Sequence, residues 1–216
     1  MLSSLFGKKK SEKRVLNHPR DLQAGDLVKF KLFAPDPLNS GMFEVAGINT
    51  YDYKTEKETE FVLKNATGTI LFMTVDVDDQ ETSIQFSRKI TRQDVSRLFS
   101  LDEFAQIFDV TPDEGQVTLK RQEHDDATFN SWTAPSYVRT EYSSRGYYYE
   151  GDYRQGVTPS NEDNEFDLYV LTSDDEKYAV SIEVYDDGDE VSLSLIDDGG
   201  LIEEMWPKEA ADDQTS

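Results

Sequence analysis

The chain has 216 residues, 37% hydrophobic and 12% aromatic, with 22 Lys and Arg against 44 Asp and Glu, giving a formal net charge of −22. The aromatic content excludes a wholly disordered chain, and the acidic excess disfavours phosphate backbones and anionic membrane surfaces as partners. The absence of cysteine excludes disulfides, thiolate nucleophiles and Cys-ligated zinc.

The chain opens with "MLSSLFGKKKSEKR". Its apolar residues precede the basic cluster, the reverse of a secretory signal. We expect a flexible basic tail over residues 1–18, with weak membrane-surface contact through Leu2, Leu5, Phe6 and Lys8 to Lys10 as a lesser reading. No apolar run is long enough to span a bilayer. A cytoplasmic location is expected, which the lack of cysteine suits.

A β-rich region is expected over residues 19–125. Gly25-Asp26 supplies a turn, and Leu27, Val28, Phe30, Leu32 and Phe33 suggest a first strand. Pro35 and Pro37 mark a loop. Further strands are expected in "MFEVAGINTYDY", "EFVLKN", "TILFMTVDV" and "TSIQFSRKI". The period then changes. Val95, Leu98, Phe99, Leu101, Phe104, Ile107 and Phe108 recur at three and four residues, predicting a helical insert near 91–109. Thr91 with Asp94, and Ser100 with Glu103, are N-cap pairs, so two short helices are expected. "QVTLKRQ" reads as a strand after a turn.

Residues 126–160 form a tyrosine-rich connector of strands and turns, with Gly146 and Gly151 expected at the turns. Residues 161–208 form an acidic β-meander with alternating Tyr178, Val180, Ile182, Val184 and Val191, Leu193, Leu195. Asp187-Gly188 signals its hairpin. Residues 209–216 are a C-terminal tail. The stretch from Glu60 to Phe86 resembles that from Glu165 to Leu195. Val75 and Val77 match Ile182 and Val184, and Ile84 and Phe86 match Leu193 and Leu195. The fold expected is therefore mainly β (α+β), with antiparallel meanders or barrel-like sheets and a two-helix insert; the match is read either as two related β units or as the chance likeness of generic hairpins with acidic turns.

Chemistry is less legible. Asp76, Asp78, Asp79 and Glu81, and separately Asp186, Asp187, Asp189 and Glu190, form acidic turns that could offer oxygens to calcium. Neither follows the EF-hand pattern, and a solvated turn is the plainer reading. His18 and His124 are the only histidines. His124 with Asp125 and Asp126 is a further metal candidate, weighed against simple exposure. No HExxH, GxSxG, GxxxxGK[ST] or GxGxxG pattern occurs. No cofactor is expected.

Arg139, Arg145 and Arg154 lie among Tyr137, Tyr142, Tyr147, Tyr148, Tyr149 and Tyr153. This mixture suits base stacking, but Glu141, Glu150 and Asp152 offset the arginines. Folded strands come first in this reading, a protein-partner surface second and nucleic acid a distant third. The partner surface would comprise Trp132, Tyr147, Tyr148, Tyr149 and Tyr153, with Asp186, Asp187 and Asp189 steering a protein of basic surface. A calcium or polyamine binder, and an enzyme with an unfamiliar site, are the alternatives.

"DLQAGDLVKF", the strand-rich middle ending in "SIQFSRKI" and the run "SWTAPSYVRTEYSSRGYYYEGDYRQG" before an acidic β end resemble the YjfK-like bacterial proteins of unknown function. The resemblance implies an accessory protein in an envelope or stress system, beside phage-shock-type proteins and ligases resembling glutathionylspermidine synthase. It implies no catalytic residue.

Overall fold

The computed structural model describes residues 14–78, 81–123, 127–160 and 164–208. The Leu2 to Lys10 segment, Asp79, and His124 with Asp125 and Asp126 lie outside the described residues.

Among the described residues, eleven antiparallel strands form one sheet: β1 (Leu27–Phe30), β2 (Met42–Asp52), β3 (Lys57–Asn65), β4 (Ile70–Asp78), β5 (Glu81–Ile90), β6 (Thr118–Lys120), β7 (Ser136–Glu150), β8 (Glu165–Thr172), β9 (Tyr178–Tyr185), β10 (Gly188–Asp197) and β11 (Ile202–Trp206). Their order is β11-β1-β2-β3-β4-β5-β10-β9-β8-β7-β6, with β2 also paired to β7. That extra pairing closes eight strands into a ring. It spans only four residue pairs, from Asn49↔Glu150 to Asp52↔Tyr147. At the other ends of the same two strands, β2 pairs with β1 and β7 with β6, so the ring is partial.

The order of elements repeats. β2 to β5 is one four-stranded meander and β7 to β10 is another, joined at β5–β10 and β2–β7. Phe86 faces Leu195 across β5–β10, which is where a two-fold relation would place residues matched in sequence. The match slips by two residues on the neighbouring strand. Val75 faces Ile84 and Ile182 faces Val191, so register pairs Ile84 with Val191 rather than Leu193.

Period-two alternation divides the sheet into two faces. One carries Phe61, Leu63, Met73, Ile84, Phe86, Leu193, Val180, Ile182 and Leu171, all buried in the apolar core. Phe30 packs edge-on against Phe86 at 5.3 Å, and Phe108 against Tyr169 at 5.0 Å. β1 and the helices therefore cover this face.

The helical insert is α1 (Arg92–Leu98) and α2 (Leu101–Asp109). At α1 the reciprocal Thr91–Asp94 capping box is formed, an arrangement worth about 1 kcal/mol. At α2 the Ser100 side chain accepts from the Glu103 backbone N–H, while the Glu103 carboxylate accepts from the Lys120 N–H at 3.1 Å and so ties α2 to β6. No helix among the described residues is long and apolar enough to cross a membrane.

Three local expectations need correction. The first strand ends at Phe30, and Leu32 and Phe33 are 88% and 73% exposed in the turn that follows. The β9–β10 hairpin turns on Asp186-Asp187, one residue earlier than expected, with Gly188 already paired to Tyr185. Gly146 makes no turn: β7 runs through it for 15 residues. Here glycine is required by close approach. A methyl group would collide with the Phe166 ring and lie 2.9 Å from Tyr53. Gly146→Ala is expected to cost about 1–3 kcal/mol through overpacking, measured by urea unfolding. A neutral effect would mean that the Phe166 ring does not lie over this strand.

Candidate functional site

The second face of the sheet carries Asn49 and Tyr51 on β2, Glu58 and Glu60 on β3, Thr74 on β4, Gln85, Ser87 and Lys89 on β5, Tyr148 on β7, Phe166 on β8, Ser181, Glu183 and Tyr185 on β9, and Glu190, Ser192 and Ser194 on β10. Strands β3 and β9 are four strands apart whichever way the ring is followed. On a flat sheet that separation would be about 19 Å. Yet the Tyr51 hydroxyl lies 3.4 Å from Glu60 Oε2 and 3.0 Å from Glu183 Oε1. This face is therefore concave and forms the inside of the ring.

Glu60 is 6% exposed. Its Oε1 accepts from the Asn49 amide at 2.8 Å. Asn49 sits directly opposite on β2, so the backbone register sets this contact. Glu183 accepts from Tyr185 on its other oxygen at 2.6 Å. All four carboxylate oxygens thus face a side chain of the ring. Phe166 lies edge-on to Tyr51 at 5.7 Å and closes the apolar side of the cluster. Ser87 and Ser194 meet at 2.8 Å across the β5–β10 seam, satisfying two buried hydroxyls. Lys89 pairs with Glu190 at the exposed rim.

Burial dominates the electrostatics. It raises Glu60 to about 7, against the opposing hydrogen bond from Asn49. It also raises Glu183 and Glu58. Tyr51 is pushed well above the ordinary phenol value by burial and then by the charges of Glu60 and Glu183. Burial raises Tyr148 and Tyr185 as well. Two carboxylates joined through one phenol have the chemistry of a proton-sharing pair.

A surface cleft of about 440 Å³ opens beside Tyr53 and Glu58, lined also by Arg20, Lys57, Asp76 and Arg154. Its cations are engaged. Arg20 pairs with Asp76 at 3.5 Å, Arg154 binds Asp152 through two nitrogens at 2.8 and 2.6 Å, and Lys57 donates to the Gly156 carbonyl at 2.7 Å.

The residues singled out in the sequence are dispersed. Trp132 is fully buried next to the start of β7, far along that strand from the tyrosine run. Tyr149 is 7% exposed and packs against Tyr153 at 6.1 Å. Tyr148 points into the ring opposite Tyr51. Tyr147 and Tyr153 remain partly exposed, Tyr147 donating to Glu165 at 2.6 Å beneath Lys54. The partner surface loses Tyr148, which alternation turns into the ring, and Trp132 and Tyr149, which are buried. Asp186, Asp187 and Asp189 are exposed at the β9–β10 tip. Asp76 and Asp78 end β4. The two acidic turns lie at opposite ends of the β5–β10 pair, since Ile90 faces Val191 while Ile84 faces Asp197. Among the described residues, no three His, Asp or Glu side chains converge as a metal centre would require.

Sequence reasoning missed Asn49, Tyr51, Glu60, Glu183 and Tyr185. Their one local signal was bulky or acidic residues on the polar phase of apolar-rich strands, as in "INTYDY" and "SIEVY".

No protein-family model, curated protein or solved structure matches the chain.

Proposed function

We propose that the chain is a non-enzymatic acidic interaction module that binds a protein of basic surface at the β9–β10 tip. The exposure of Asp186, Asp187 and Asp189 on a two-residue hairpin carries this reading. Arg92, 84% exposed and 3.9 Å from Asp189, is too solvated to neutralise three carboxylates. Tyr147, at the same end of the sheet through its register with Glu165, adds a partly exposed aromatic edge. A net charge of −22 supplies the long-range attraction. The resemblance to YjfK-like proteins supports an accessory role in a bacterial envelope or stress system.

The test is affinity capture of the tagged chain at low and high salt, read by mass spectrometry. The partner is expected to be retained at low salt and lost at high salt, because screening shortens charge interactions to roughly 8 Å at physiological ionic strength. Asp186→Asn/Asp187→Asn/Asp189→Asn should lose it at both. Salt-insensitive capture would remove the steering role of the tip. A melting temperature that rises with calcium or spermidine concentration, without a protein partner, would favour small-cation binding instead.

A further inference from the structure

We infer that the inside of the ring holds one proton between Glu60 and Glu183, carried on Glu60, and that this makes the closed end of the ring a pH-sensitive contact. The inference is independent of the partner-binding reading.

It rests on counting hydrogens. A tyrosine hydroxyl has one hydrogen to donate and lone pairs that accept. Tyr51 faces two carboxylate oxygens, Glu183 Oε1 at 3.0 Å and Glu60 Oε2 at 3.4 Å. Its hydrogen can serve only one. Glu183 is the nearer, and Tyr185 donates to its second oxygen at 2.6 Å. Two phenolic donors suit an ionised carboxylate. Glu60 has one donor, the Asn49 amide at 2.8 Å, on Oε1. Among the described residues its Oε2 meets only the oxygen of Tyr51. Without a proton there, two electron-rich oxygens abut in a buried site and one stays unsatisfied. With a proton on Oε2, Glu60 donates to Tyr51, Tyr51 donates to Glu183, and every group is paired.

The surrounding charges agree. Tyr51 and Asn49 on β2, Tyr53 just after it, Glu58 on β3, Thr74 on β4, Lys89 on β5, Tyr148 on β7, Glu183 and Tyr185 on β9, and Glu190 on β10 face or act on the cluster. β8 presents the apolar Phe166. Lys89 is the one cation among these, and it is engaged by Glu190 at the rim. Acids therefore outnumber the cation, and a proton relieves the excess.

The direction of the pH effect follows. Burial raises Glu60 from 4.5 to about 7 on folding. Between those values the folded chain binds more protons than the unfolded one, so stability falls as pH rises through that window and levels off above it.

The test compares melting temperatures of the full chain and two variants from pH 5 to pH 8. Glu60→Gln mimics the protonated acid, since its amide donates to Tyr51 and its carbonyl accepts from Asn49. It should match the parent near pH 5 and melt a few degrees higher at pH 8. Glu183→Gln should melt lower at both values, because an amide N–H₂ would confront a phenolic donor. The parent should also show a neutral glutamic acid carbonyl band in its infrared spectrum at pH 6, absent from Glu60→Gln. The inference is overturned if Glu60→Gln retains the parent's pH dependence, if Glu183→Gln is the variant that abolishes it, or if the parent shows no neutral carboxyl band. That last measurement decides alone should Glu60→Gln not fold.

Discussion

Replacing Trp132 with alanine is expected to lower stability by about 3–5 kcal/mol. The side chain is completely buried. Its indole N–H donates to the Asp36 carbonyl at 2.6 Å, joining the segment before β7 to the loop after β1. The Arg88 guanidinium lies 5.8 Å from its ring and 4.9 Å from that of Phe129. Alanine would remove the apolar volume and leave Asp36 without its donor. Trp132→Phe retains most of the volume and loses the hydrogen bond, for about 1–2 kcal/mol. Equilibrium urea unfolding should show a lower midpoint for both, in that order, with an unchanged slope. A loss under about 1 kcal/mol for alanine would show that this segment contributes little to the core. The same burial separates Trp132 from partner recognition. Under conditions where the variant is still folded, capture by the acidic tip should be unaltered.

The difference between what was legible in sequence and what was not is illustrated by Trp132 and Glu60. Helices α1 and α2 were readable because Thr91, Asp94 and Ser100 act within one turn of their own backbone. Most strands were readable because alternation is also local. Whether the polar phase of a strand faces water is not local. Glu60 looks like any solvent-facing residue of a half-buried strand. It is buried because Asp52↔Tyr147 and its three neighbouring pairs close the ring, bringing Glu183, more than a hundred residues away, to the same phenol. The tyrosine run failed for a related reason. Alternation sends Tyr148 inward and Tyr147 and Tyr149 outward, and Gly146 sits mid-strand to admit Phe166 rather than to turn the chain. The acidic tip alone needed no tertiary information, since a two-residue hairpin between alternating strands has nowhere to put its side chains but solvent.

Asp26→Ala is expected to cost about 2–4 kcal/mol, for a reason equally distant in sequence. Asp26 is fully buried. Its Oδ2 accepts from the Gln23 backbone N–H at 2.8 Å and pairs with Arg14, while its Oδ1 accepts from the Lys208 N–H at 2.8 Å. One carboxylate thereby fastens residues near both ends of the described chain to the start of β1. Alanine would strand these donors together, and Arg14 Nε already has no partner among the described residues. The side chain of Arg14 is 33% exposed, so water recovers part of its loss. Arg14→Ala should therefore cost less than Asp26→Ala, because the carboxylate would keep its two backbone donors. A double-mutant cycle in urea gives the coupling. Hydrogen exchange provides a local check: the Lys208 amide and β11 should lose protection in Asp26→Ala before the β3–β4–β5 core does. Equal costs for the two single variants would show that the pair acts through its charge alone, without the backbone donors. Unchanged protection at Lys208 would show that the chain end is held by β1–β11 pairing and not by Asp26.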